Sequence, residues 1–210
     1  MPRLDSVPFA QLPKDIMDRL APLFPAEGDG SKGTLTGTPG NWWTIWGRVP
    51  GILRAFIAFD YRTSPIDPKI RELALVRTGY ARASQFVYSQ HCKAARKVGL
   101  EEEKIRDAAF WTISDVYSPK DRAVLAFVDG QILEGGRVHD RVMAAMKANF
   151  SAEEILVLSY LVNMYNLHAI TTKALRMEYD DVPERIVEIP APETQKVQDW
   201  QDPVWAKTQG

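Results

Sequence analysis

From Lys69 to Met177 the chain is cut by proline, glycine and serine signals into successive segments whose apolar residues recur every three or four positions. No segment there alternates as a strand must, so the chain reads as all-α. Lys69 to Ala81 places Ile70, Leu73, Ala74 and Arg77 in a helical stripe. Ser84 to Val98 is a second helix, closed by Gly99 as its left-handed cap, and Glu101 to Ile113 a third with carboxylates in its first turn. Ser118 and Pro119 open a helix to about Glu134, where Gly135 and Gly136 stop it; His139 to Asn149 and Ser151 to about Met177 follow. The SAEE run at 151–154 is a capping box.

The flanks differ in texture. Residues 1–40 read as an N-terminal arm, punctuated by Pro8, Pro13, Pro22, Pro25 and Pro39, with one short helix over Asp15–Leu20. From Asn41 an aromatic-rich stretch leads into a helix from Gly51 to about Tyr61, and Trp42, Trp43, Trp46 and Phe56 are expected to anchor a core or a subunit interface. The helical domain is expected to span 41–183. Residues 184–210 form a tail with two tryptophans amid polar residues, expected to pack on the domain or on a neighbouring subunit. Arg185–Ile189 is the nearest approach to a strand.

At 210 residues, with 26 basic and 27 acidic side chains, the chain has a net charge of −1, which disfavours nucleic acid or an anionic membrane surface as a partner. One cysteine makes no intramolecular disulfide, CxxC pair or thiolate zinc site, and no short metal-ligand spacing involves the three histidines. No cofactor and no metal are expected. The most apolar stretch, Ile155 to Ile170, is broken by Ser159, Asn163, Asn166 and His168 and falls short of the ~20 apolar residues of a membrane span. With no signal-peptide pattern at residues 1–10, a cytoplasmic location is the expectation.

Ser84, Val87, Tyr88 and His91 recur at +3, +4 and +7 and share one face of their helix. If the two helices pair antiparallel, Glu72 on the preceding one approaches the His91 imidazole, and a Glu–His pair can move a proton near neutral pH. The bland alternatives stand beside this: His91 as a satisfied surface or core histidine, and Glu72 as the partner of Arg71, Arg77 or Arg82. His139 reads as a helix N-terminal residue. Asn166 and His168 sit within an apolar helix, where polar groups can line a pocket. Cys92, next to His91 and so about 100° round the helix, should be a packing residue.

The run RELALVRTGYARASQFVYSQHCKAARKVGLEEEKI resembles the carboxymuconolactone decarboxylase family, whose members share the fold of the alkylhydroperoxidase D proteins. The resemblance covers roughly residues 41 to 183 and extends to ANFSAEEILVLSYLVNMYNLHAITTKALRMEYDDVP, with its Tyr165-Asn166 pair. It implies an AhpD-like multi-helix bundle and a homo-oligomer, trimer or hexamer. The family's peroxidase branch carries Glu, eleven residues, Cys, two residues, Cys, three residues, His; here that ruler falls on Glu72, Ser84, Val87 and His91. With both cysteine positions replaced, a disulfide-relay peroxidase has neither nucleophile nor resolving thiol. Decarboxylase-like members often have a glutamate at the position of Val87.

The resulting expectation is a cofactor-independent lyase of the decarboxylase type, or an isomerase, acting on a small lactone or unsaturated carboxylic acid. His91, Glu72 and Tyr88 are its candidate catalytic residues; Ser84, Val87, Tyr165, Asn166 and His168 are its candidate substrate-binding residues. The alternative is a non-catalytic family member serving as a small-molecule binder or oligomeric scaffold.

Overall fold

The computed structural model describes residues 3–21, 41–60 and 63–177. Among them all regular structure is helical and no strand occurs, so the all-α expectation holds. In chain order the helices are α1 (Lys14–Leu20), α2 (Asn41–Trp46), α3 (Pro50–Ala58), α4 (Pro68–Ala81), α5 (Gln85–Lys97), α6 (Glu102–Asp107), α7 (Pro119–Ile132), α8 (Asp140–Asn149) and α9 (Ala152–Leu175), with a 3-10 turn at Phe9–Gln11. The proposed tail at 184–210 and the strand candidate Arg185–Ile189 lie outside the described residues.

The described residues divide into two compact units, one made by residues up to Thr63 together with Thr171–Met177, the other by Ser64–Ile170. In the first, Leu12, Ile16 and Leu20 bury against Leu53, with Trp43, Trp46 and Ile57 packed round them. Arg54 grips the Asp15 carboxylate with two hydrogen bonds of 2.6 and 2.9 Å, tying α1 to α3. Trp46 meets Trp42 and Phe56 edge-on, with ring centroids 5.6 and 5.1 Å apart, an arrangement the ring quadrupoles favour. These aromatics are therefore core residues of this unit.

In the second unit α4 is central. Every residue from Ile70 to Gly79 is buried, because α5 packs along one side of α4 and α7 along another. One apolar cluster joins Ile70 and Ala74 of α4 to α7, α8 and α9 through Val124, Phe127, Met146, Leu158 and Val162. A second joins Leu73 and Val76 to Tyr88, Cys92 and Ala95 of α5 and to Ile105 of α6. Cys92 is thus a packing residue, as its offset from His91 suggests.

Local signals explain the helix ends. Ser118 and Asp121 form a reciprocal capping box at the start of α7, and Ser151 with Glu154 does the same for α9. The His139 ring accepts from the Arg141 amide and caps α8. Between α4 and α5 only Arg82, Ala83 and Ser84 intervene, and Ala83 turns the chain with φ of 48°, in the left-handed region.

One expectation needs correction. The Glu101–Ile113 helix ends at Asp107, because the Arg77 guanidinium takes the carbonyls of Ala108 and Ala109 and the Asp107 carboxylate takes the Ser114 hydroxyl. On α9, Leu158, Leu161 and Val162 are buried, while Leu156 and Tyr160 are 70% and 50% exposed. Among the described residues no helix is long and apolar enough to cross a membrane.

Candidate active site

The close crossing of α4 and α5 sets the site. A Cβ built on Gly79 would lie 2.5 Å from the Tyr88 amide nitrogen, so only glycine lets the two backbones approach this far. Seven residues earlier on α4 and three later on α5, Glu72 and His91 face each other. The His91 Nδ1 lies 2.8 Å from Glu72 Oε2, and both residues are buried, at 5% and 2% exposure. The Arg71 Nε donates to the other carboxylate oxygen, Oε1, also at 2.8 Å. Glu72 therefore pairs with the His91 imidazole and with the Arg71 guanidinium at once.

Electrostatics fixes the direction of this chain. Burial pushes the Glu72 carboxyl up, but the hydrogen bond and charge of His91, and then those of Arg71, outweigh it and hold Glu72 below its ordinary value. An ionised carboxylate can only accept, so Nδ1 of His91 carries the hydrogen. In neutral His91 the lone pair is therefore on Nε2, the arrangement that orients a histidine as a general base.

Two aromatic rings of α9 extend the site. Tyr165 stands edge-on to the His91 ring, with centroids 4.2 Å apart at 87°, and meets His168 at 4.9 Å and 69°. His168 is buried, and that burial, followed by the charge of His91, pushes its pKa down to about 3. It stays neutral through the physiological range and does not trade protons with His91.

The remaining predicted residues go elsewhere. The Ser84 Oγ is the N-cap of α5, accepting from the Val87 amide at 3.3 Å. Val87 is buried where α5 passes Gly79. Tyr88 is buried in the apolar cluster with Leu73, Val76 and Cys92, and burial, then the Cys92 thiol, raises its hydroxyl above the ordinary value. Asn166 Oδ1 accepts from Arg82 Nε at 2.5 Å, which links α9 to the end of α4. Glu72, His91 and His168 do not make a metal-ligand cluster; among the described residues no group of three or more His, Cys, Asp or Glu does. Arg71 is the member that helical spacing hides, since adjacent residues point about 100° apart; only its charge beside Glu72 signals it.

Residues 50–130, which include Arg71, Glu72 and His91, match the carboxymuconolactone decarboxylase family. The chain carries a carboxymuconolactone decarboxylase-like segment in an AhpD-like fold. Among curated proteins it is similar to the uncharacterized protein YnjA of Escherichia coli, 27% identical over 62% of this chain and 74% of that protein. A structure of a protein of unknown function from Agrobacterium tumefaciens, provisionally ascribed to antioxidant defence as AhpD, superposes with a TM-score of 0.59 at 26% identity. The match covers 68% of this chain and 96% of that one. An uncharacterized peroxidase-related protein from Ralstonia eutropha with an alkylhydroperoxidase AhpD core gives a TM-score of 0.70 at 19% identity, over 86% and 93%. That last likeness speaks to fold alone. This decarboxylase-like chain departs from a thiol peroxidase in sequence: its single cysteine, Cys92, is buried in the apolar core beside Tyr88.

Proposed function

We propose that this protein is a cofactor-independent acid/base enzyme, a lyase of the decarboxylase type or an isomerase, acting on a small lactone or unsaturated carboxylic acid. The observation that carries the reading is the buried relay from Arg71 through Glu72 to His91, with Nδ1 committed and Nε2 left to handle a proton. Decarboxylation next to a conjugated carbonyl breaks one C–C bond; its electron pair passes into the carbonyl system as carbon dioxide leaves. His91, as an imidazolium held by ionised Glu72, then delivers its Nε2 proton to carbon and regains one from water. Isomerisation uses the same atoms in the other order: Nε2 removes a proton from one carbon and returns it to another. Tyr165 bounds the imidazole and keeps water from one side of it.

The test is a panel of unsaturated lactone acids incubated in D2O, with NMR following loss of carbon dioxide or entry of deuterium at carbon. His91→Ala is expected to slow the responding substrate by roughly 100-fold or more. Turnover of that variant within a few-fold of wild type removes His91 from the mechanism.

A second reading, a small-molecule binder or scaffold, draws on one observation: Ser84, a candidate substrate-binding residue, and Tyr88, a candidate catalytic one, serve as a helix cap and a core residue. It predicts ligand binding by NMR with no deuterium entering any member of the panel.

A further inference from the structure

The three arginines of α4 and of the turn after it are held in different ways. Arg71 pairs with the Glu72 carboxylate. Arg77 grips the Asp129 carboxylate through Nε and Nη2, at 2.7 and 2.9 Å, and gives Nη1 to the carbonyls of Ala108 and Ala109. Arg82 donates its Nε to a neutral group, the Asn166 side-chain amide. A guanidinium carries five N–H donors in a planar fork that matches a carboxylate. An amide on Nε aims that fork without cancelling its charge.

Arg82 also stands close to the reacting groups. Asn166 follows Tyr165 on α9, with Cα atoms about 3.8 Å apart. Tyr165 is edge-on to the His91 ring while Asn166 takes Arg82, so two adjacent residues of one helix touch the imidazole and the guanidinium. Arg82, Tyr165 and Asn166 are half-buried, whereas Glu72 and His91 are buried. The acid/base pair is therefore interior and the arginine lies at its margin. The interior holds no net charge to attract an anion: ionised Glu72 is paired with Arg71, and His168 is neutral. Arg82 supplies that attraction.

We infer that Arg82 is the carboxylate anchor of the site, its guanidinium holding a carboxylate of the substrate while His91 Nε2 works on a carbon of the same molecule, with Asn166 as the positioning residue that aims it. This role rests on the acid/base reading above and narrows the substrate. A cation that stabilises a carboxylate in its charged ground state opposes its loss as carbon dioxide. The carboxylate on Arg82 is therefore one that the reaction keeps, and any carbon dioxide released comes from a second carboxyl group turned away from the arginine.

Binding and turnover test this separately. Furan-2-carboxylate, a small flat acid that offers His91 no carbon-bound proton to move, and its methyl ester are titrated into the full chain and followed by NMR. The acid is expected to bind at least 10-fold more tightly than the ester, and Arg82→Gln to weaken the acid by 10-fold or more while leaving the ester unchanged. Asn166→Asp, which sets a carboxylate against the guanidinium, should weaken the acid in the same selective way. His91→Ala should keep the acid's affinity. In the unaltered protein the Arg82 Nε–H resonance should move with the acid and not with the ester, a reading that needs no variant to fold. For any substrate that takes up deuterium, Arg82→Gln should act chiefly on KM. No binding of the acid at roughly 10 mM, equal binding of acid and ester, or an acid affinity untouched by Arg82→Gln overturns the assignment. Acid binding that depends on Arg82, with no deuterium entering any substrate, leaves the anchor standing and removes the acid/base reading instead.

Discussion

The two oxygens of the Glu72 carboxylate are divided between neighbours, Oε2 against His91 Nδ1 and Oε1 against Arg71 Nε, each at 2.8 Å. This division makes Glu72→Gln an informative change. Arg71 can only donate, so it keeps the amide oxygen and turns the amide nitrogen toward His91. The amide then donates to Nδ1 and forces the hydrogen onto Nε2, the wrong tautomer for a base. Activity on any responding substrate is expected to fall by about 10⁴-fold, as for the comparable change in a catalytic triad. Nitrogen NMR of the imidazole, at a pH where it is neutral, should show the hydrogen moving from Nδ1 to Nε2. An unchanged tautomer would remove Glu72 from the orienting role. Glu72→Ala removes a hydrogen-bond partner from both buried His91 and buried Arg71, which costs about 1–3 kcal/mol and should appear as a lower urea midpoint.

His168 makes the fold sensitive to mild acid. Folded, it resists protonation down to about pH 3, while in the unfolded chain it takes a proton near its ordinary value of 6.5. The unfolded state therefore binds more protons between those limits, and stability falls as pH drops through that window. At pH 5 the loss relative to neutral pH is about 2 kcal/mol. Glu72 adds to this below its ordinary carboxyl value of 4.5, since its folded value is lowered and its contribution disappears as it is protonated. In His168→Gln, urea midpoints between pH 5 and 7 should flatten by the His168 share. A slope equal to that of wild type would show that His168 titrates normally in the folded protein.

The helices from α4 onward are legible in the sequence because their caps and periods agree, as at Ser118, His139 and Ser151. The Glu72–His91 pair is legible for the same reason: two helices joined by three residues must pack antiparallel. The roles around the pair are harder to read. The buried side of α5 faces both α4 and α6, so Ser84, Val87, Tyr88 and His91 can share a face and still meet different neighbours. The end of α6 depends on Arg77 reaching across from α4, a contact between residues 31 and 32 positions apart. On α9, an apolar pattern cannot say whether its cover comes from the same chain or from another.

Glycine is required at one helical position and dispensable at another. At Gly79 a methyl group would meet the backbone of Tyr88 and Val87 at 2.5–3.0 Å, so Gly79→Ala must push α4 and α5 apart. The expected loss is about 1–3 kcal/mol, and because the pair straddles this crossing, the His91–Glu72 hydrogen bond should lengthen with it. Gly51, inside α3, has nothing within 4 Å of its would-be Cβ. Gly51→Ala should therefore stabilise by about 0.5–1 kcal/mol through helix propensity and a less flexible unfolded chain. Thermal melts of both variants provide the check; a neutral Gly79→Ala would mean that the helices yield at no cost.

The short turn between α4 and α5 stores strain that a single substitution can release. Ala83 sits at φ of 48°, where its Cβ crowds the backbone and costs roughly 1–2 kcal/mol. Glycine takes that conformation freely but raises the entropy of the unfolded chain, which offsets about 0.5–1 kcal/mol. Ala83→Gly is therefore expected to stabilise the protein by up to about 1 kcal/mol, and Ala83→Val, branched at Cβ, to destabilise it. The geometry of the turn also sets how α5 leaves α4, and with it the approach of His91 to Glu72. If the glycine variant raises the melting temperature while the His91 tautomer stays fixed, the relay is held by Gly79 and the packing along both helices. A shifted tautomer in the more stable variant would place that control in the turn.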